Sequence, residues 1–195
     1  MTSPTTVAVK SDEALYLSLA ELEAGVDHIQ QSPKANGVLE MIVVRPGTDE
    51  RVLPESCDLS PEQGVQGDNW ASRAHVQQSD GTLNFGYQVT VMNSRAIALI
   101  ARTKDRWPLA GDQLIADFDL SEDNLKPGQQ LKIGSAILEV TDAPHRGCAK
   151  FAARFGHVAH KFVNNNVGWH LHMRGLNMKV IQAGTVSVGS VITKC

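Results

Sequence analysis

Apolar residues recur along this chain in two rhythms, and the first is helical. After Ser11, placed as an N-cap and followed by acidic Asp12 and Glu13, they fall at Leu15, Leu19, Leu22, Val26 and Ile29. Steps of four and three trace one face of an α-helix, weakened at Gly25 and ended at Ser32-Pro33. Such a stripe most often packs as an appendage, here against a barrel end or a partner subunit. From Gly37 the rhythm changes. Val38 to Val44 is a short β-branched run closed by Arg45-Pro46-Gly47, and Tyr87, Val89 and Val91 alternate with Gln88 and Thr90 as in a half-buried strand. Between them Cys57 to Gly81 is polar and reads as loops, while Asn93-Ser94 can cap a short helix over Arg95–Ala101.

The last third contains an internal echo. Gly128 to Ile137 and Gly184 to Ile192 each carry an alternating strand that meets Gly-Ser and resumes with its apolar parity shifted by one. A one-residue shift at glycine is the mark of a bulge or tight turn, which bends a sheet. Two such corners, with strand signals outnumbering helical ones and no βαβ alternation, predict a mainly β fold. The expected architecture is a small curled β-barrel over 37–195 with a few helices, preceded by a tail and amphipathic helix over 1–36.

Composition narrows the function classes. With 195 residues, 42% hydrophobic and 20% charged, the chain has material for one globular core. Net charge is −3 with acids and bases interleaved, so no basic stripe points to nucleic acid and any positive site must be local. Met1 to Lys10 lacks the pattern of a signal peptide, and no stretch approaches the roughly 18 apolar residues of a membrane helix. Three widely spaced cysteines, Cys57, Cys148 and Cys195, form no CxxC pair. They argue against a disulfide framework or a structural zinc site and for a reducing, cytoplasmic setting.

The segment from Ile137 to Lys150 is the most informative. A strand ends at Pro144, Gly147 permits a turn, and Phe151, Phe155, Val158 and Phe162 then follow helical spacing. Cys148 therefore falls at the start of a helix. A thiol is nucleophilic, or a metal ligand, as the thiolate, and a free cysteine has a pKa of about 8.5. The positive end of a helix and neighbouring cations favour that ion, and His145, Arg146 and Lys150 all lie within three residues. The same combination attracts phosphate and other oxyanions. A lone cysteine is more often buried and inert. The turn, the helix start and the cations turn the balance for Cys148, whereas Cys57, beside Glu55 and Asp58, and terminal Cys195 have no such surroundings.

The remaining patterns say less. Read as a strand, Trp169 to Arg174 puts His170, His172 and Arg174 on one face. Two histidines so spaced can ligate a metal, but with no third ligand nearby in sequence a solvated polar face is the simpler reading. Arg174, before Gly175, is the better anion contact. Gly64 to Trp70 is glycine-rich but lacks the Lys-Ser/Thr of a P-loop, and no GxSxG or HExxH occurs.

In order along the chain, the pieces resemble the MOSC domain, named for the C-terminus of molybdenum-cofactor sulfurases. Gly64 to Trp70, with Asp68, resembles its Gly-x-x-Gly-Asp loop, and Tyr87 to Val91 its strand opening with Gln-Val. Gly111-Asp112-Gln113-Leu114 stands where the family has Gly-Glu-Asn-Leu, Ile133 to Thr141 leads to the signature cysteine at Cys148, and Gly184 to Val191 resembles the closing turn. Gly147 replaces a frequent proline, and Asp112-Gln113 replaces Glu-Asn. The resemblance implies a barrel with a pocket for the molybdenum cofactor (molybdopterin) around the cysteine. It brings Asp68, Asp112 and Arg174 into the cofactor site beside Cys148; His145, Arg146 and Lys150 join by proximity.

Three functions follow from it. Cys148 carries sulfur as a persulfide, making the protein a sulfur carrier or sulfurtransferase. Alternatively, Cys148 ligates molybdenum in an oxidoreductase component that reduces N-hydroxylated compounds. The third is a non-enzymatic binding module for the cofactor or another phosphorylated ligand. Expected partners are a cysteine desulfurase, a redox protein or a second copy of the chain. Many family members are fused to a pyridoxal-phosphate-dependent desulfurase; with no segment for one here, pyridoxal phosphate would act in a separate partner.

Overall fold

A computed structural model describes residues 12–73 and 76–195. The expected cap at Ser11 and the tail Met1 to Lys10 lie outside the described residues. The long N-terminal helix is instead three pieces: a 3-10 turn over Glu13–Leu15, α1 (Leu19–Ala24) and α2 (Val26–Gln30). Ser18 and Glu21 form a reciprocal capping box that starts α1 afresh, and this local hydrogen bonding outweighs the continuous apolar stripe.

The strands follow as β1 (Gly37–Ile42), β2 (Ser56–Ser60), β3 (Gly64–Val65), β4 (Val89–Asn93) and β5 (Leu114–Asp117), with α3 (Ser94–Ala101) between the last two. Then come β6 (Gln130–Ile133), β7 (Ala136–Val140), α4 (Ala149–Val163), α5 (Asn166–His170), β8 (Leu176–Gln182), β9 (Gly184–Ser187) and β10 (Val191–Lys194). Among the described residues, seven strands close a barrel in the order β1-β10-β6-β7-β8-β4-β5, and β3-β2-β9 form a small second sheet. Two of these strands, β2 and β3, occupy part of the stretch expected to be loops.

The fold is mainly β, as the alternating runs imply. One βαβ unit is present all the same, since β4 and β5 pair in parallel across α3. β4 begins at Val89, after a 3-10 turn over Phe85–Tyr87, and all five of its residues are buried. Both its faces are covered. Val89 and Val91 belong to the barrel core with Leu39, Leu114, Leu138 and Met178, while Met92 joins Ile115, Ile97, Phe151 and Phe155 in a second core beneath the helices. Leu22 and Ile29 reach that second core, so α1 packs on α4 and α2 on α3.

The two Gly-Ser corners do different jobs. Gly134-Ser135 is a hairpin turn, with Ile133 opposite Ala136, and burial changes parity there as the sequence implies. The second corner carries the chain from the small sheet into the barrel. Val186 and Ile192 are buried while Val188 and Val191 are exposed, so no parity change occurs.

Candidate functional site

Cys148 stands at the N-cap of α4 with extended backbone, exposed to solvent. Its turn is fixed from behind. Gly147 donates its N–H to Asn164 Oδ1 at 3.0 Å, and its carbonyl accepts from His160 Nε2 at 2.9 Å and Asn164 Nδ2 at 3.2 Å. A Cβ on Gly147 would lie 2.8 Å from Asn164 Nδ2 and 3.0 Å from Val163, so the clamp requires glycine. The departure from the family's proline follows: proline has neither the N–H nor the room.

Cys148 lines the rim of a cavity of about 680 Å³. Its walls carry Arg45, Arg51, Arg73, Arg146, Lys150, Arg154 and Arg174 against one carboxylate, Asp49. Three of these cations are neutralised locally. Arg45 makes a forked pair with Asp68 at 2.7 and 2.8 Å, Arg154 reaches Asp49 at 2.6 Å, and Arg174 binds Asp112. Lys150 is exposed and 4.0 Å from the same Asp49. Arg51, Arg73 and Arg146 have no ion pair among the described residues. Arg51 donates to the carbonyls of Pro108 and Glu50, Arg73 to Asn69, and Arg146 lies 4.6 Å over the Trp169 ring. Arg51 and Arg73 are both pushed down to about 10, first by burial and then by neighbouring arginines. Burial is the larger cause, and the crowding of guanidinium groups adds to it.

The expected site residues thus divide. Cys148, His145, Arg146, Lys150 and Arg174 line the cavity. Asp68 and Asp112 have fully buried side chains and act on its cations instead. Asp112 also accepts from His145 Nε2 at 2.7 Å. Burial alone would raise the Asp112 carboxyl, but the Arg174 charge and then His145 hold it far below the usual range. Gln113 knits the motifs together: its Oε1 accepts from the Thr90 N–H at 2.7 Å, and its Nε2 donates to Asp68 at 3.4 Å.

The stretch Trp169 to Arg174 is not a strand. Asn165 caps α5 by accepting from the Gly168 N–H, and His172 takes a positive φ, so His170 and His172 do not share a face. His170 meets Glu122 and Asp123 at the surface, which raise its pKa, and His172 hydrogen-bonds the Leu120 carbonyl. Among the described residues no cluster of three His, Cys, Asp or Glu could hold a metal ion. All three cysteines are free; Cys57 is pushed up to about 12 by burial and by Asp58. No helix among the described residues is long and apolar enough to cross a membrane.

Sequence reasoning missed Arg45, Arg51, Arg73, Trp70 and Asn177 as cavity lining. No local signal marked them: an arginine directly after an apolar run, as at Arg45, reads equally as a chain turning out to solvent.

Fold and site together define a class: a small closed barrel with an accessible cysteine at a helix start, facing a cation-rich cavity. The chain belongs to the MOSC domain family, whose family model matches residues 88–193. Among solved structures it is similar to the YuaD protein of Bacillus subtilis, at 19% identity over 80% of this chain and 94% of that one, TM-score 0.55. It also resembles YiiM of Escherichia coli (18% identity, 81% and 69% covered, TM-score 0.53) and YiiM of Geobacillus stearothermophilus (16%, 82% and 75%, 0.54). At such identities the likeness is one of fold. No curated protein matches the chain.

Proposed function

We propose that the chain binds the molybdenum cofactor in the cationic cavity and handles sulfur through Cys148. The observation that carries this reading is an exposed thiol on the rim of a cavity whose arginines outnumber their carboxylates. The donor set fits the group. Excess guanidinium charge suits a phosphate, and a thiolate is a soft partner for sulfur or molybdenum. Among the described residues Trp70 Nε1, Arg174 Nε and Asn177 Oδ1 are buried without a hydrogen-bond partner, and all three residues line this cavity. Two donors and an acceptor left open among the residues lining one cavity suit a polar heterocycle with an anionic tail.

On this reading Arg51, Arg73 and Lys150 meet the phosphate, while Asp112 holds Arg174 in place. When bound, the cofactor would supply a molybdenum centre able to accept sulfur or exchange electrons. Cys148 would take sulfur from a partner protein's persulfide. Its thiolate attacks the terminal sulfur, an S–S bond forms at Cys148, the donor's S–S bond breaks, and the donor leaves as a thiolate, with no net oxidation. Exposure of Cys148 suits such a docking step. The deciding experiment is cofactor and metal analysis of protein purified from its native host, paired with mass spectrometry after incubation with a cysteine desulfurase. The reading expects bound pterin and a gain of one sulfur on Cys148 that disappears in Cys148→Ala. Stoichiometric molybdenum lost with Cys148→Ala, without any sulfur gain, would instead favour Cys148 as a metal ligand in an oxidoreductase. Absence of pterin and metal together overturns the cofactor.

A further inference from the structure

A second cavity, of about 340 Å³, opens on the other side of His145. Its wall is mostly apolar, with Leu125, Val140, Leu176 and the Trp169 indole, and it shares only Pro144 and His145 with the cationic cavity. His145 is therefore the partition between two chambers of opposite character. Asp112 is ionised and can only accept, so the imidazole nitrogen facing it, Nε2, carries the hydrogen. Burial and the Arg174 charge depress the His145 pKa, which keeps the ring neutral. The other nitrogen, Nδ1, then holds a lone pair, and it has no hydrogen-bond partner among the described residues.

We propose that this second cavity is a subsite for a small, uncharged, planar organic molecule that offers one N–H or O–H donor to His145 Nδ1. The size falls in the range of small-molecule pockets. The rim argues for neutrality: Glu122 is met by His170 and Asp142 is balanced by Lys126, so no charge is left there to hold an ion, and the excess guanidinium charge beyond the partition repels a cation. The aromatic wall argues for a flat ligand. Arg146 stacks on Trp169 while lining the first cavity, so the indole is braced from that side. Taken with the proposed cofactor reading, on which this assignment of a substrate class rests, the molecule would lie one imidazole away from the cofactor.

Binding to the purified chain tests the subsite without any cofactor. Indole, flat and carrying one N–H, and 1-methylindole, its donor-free counterpart, are titrated with saturation-transfer NMR as the readout. Indole is expected to bind saturably and about tenfold more tightly than 1-methylindole, the effect of one buried hydrogen bond. Ala143→Phe, which fills the cavity, is expected to abolish binding, and His145→Phe to erase the preference between the two probes. Lys150→Ala and millimolar inorganic phosphate, which act on the cationic cavity, should leave indole binding intact. No saturable binding, equal affinity for the two probes, survival in Ala143→Phe, or displacement by phosphate would each overturn the subsite. A chain that binds indole in this way but yields neither pterin nor metal from its host would keep the subsite and lose the cofactor.

Discussion

Gly147 shows how a single position can set the geometry of the exposed thiol next to it. Its N–H and carbonyl are both taken by Asn164, and its carbonyl also by His160, so the far end of α4 holds the turn at the near end. Gly147→Pro removes the donor and drives a ring into Asn164 and Val163. It is expected to lower stability by about 2 kcal/mol or more, read from chemical denaturation, because the half-buried Asn164 loses its bond and the ring must be accommodated. Cys148 was legible in the sequence because its supporting signals are local: glycine before it, cations within three residues and a helical rhythm after it. The cations that decide the character of the cavity were not. Arg45, Arg51 and Arg73 come from loops remote in sequence, and only closure of the barrel brings them to Cys148. The roles of Asp68 and Asp112 were equally hidden, since residue type cannot tell a carboxylate that meets a ligand from one that holds the arginine beside it.

At the scale of elements, α4 departs most informatively from its pattern. Phe151, Phe155 and Phe162 are buried as their spacing requires, yet Val158 is exposed and Ala159 is buried in its place. The helix breaks at Gly156, whose φ of 86° and ψ of 160° are open essentially to glycine alone, and the apolar stripe slips by one residue there. Tyr16 fills the break: its ring lies where a Gly156 Cβ would stand, 2.8 Å away, and its hydroxyl donates to the Ala153 carbonyl at 3.1 Å. Gly156→Ala is therefore expected to cost about 1–3 kcal/mol in thermal or chemical unfolding, through backbone strain together with displacement of Tyr16. Periodicity reveals a helix but not a glycine kink inside it. The same weakness explains α5, where alternation in Trp169 to Arg174 imitates a strand while the Asn165 cap imposes a helical turn. The parallel β4–β5 pair was missed for a related reason: α3 is too short and the following turns too irregular to advertise a crossover.

For the whole molecule, the balance of charge at the barrel mouth governs how stability responds to solution conditions. His145 gives up its proton more readily in the folded chain than its ordinary value of 6.5, because burial and Arg174 disfavour the cation. Below that value the unfolded chain takes up a proton that the folded one resists, so this contribution is complete above about pH 6.5 and is lost as the pH falls further. Asp112, held far below 3.8, adds a second loss in stronger acid. The denaturation midpoint should accordingly drop between about pH 7 and 5, and His145→Gln should flatten that drop. Excess guanidinium charge has a separate consequence, because Arg51 and Arg73 repel their neighbours until an anion arrives. An anion that binds only the folded chain raises its stability by RT ln(1 + [L]/Kd), about 2.7 kcal/mol at a hundred times Kd. Inorganic phosphate should therefore raise the melting temperature in a saturable way, beyond the shift that chloride gives at equal ionic strength. In the double variant Arg51→Ala, Arg73→Ala the saturable part should fall sharply, because two of the three cavity cations left without carboxylates are gone. A shift that is linear in phosphate and equal in native and variant proteins would mean general salting-out, and the cavity would then hold no anion site.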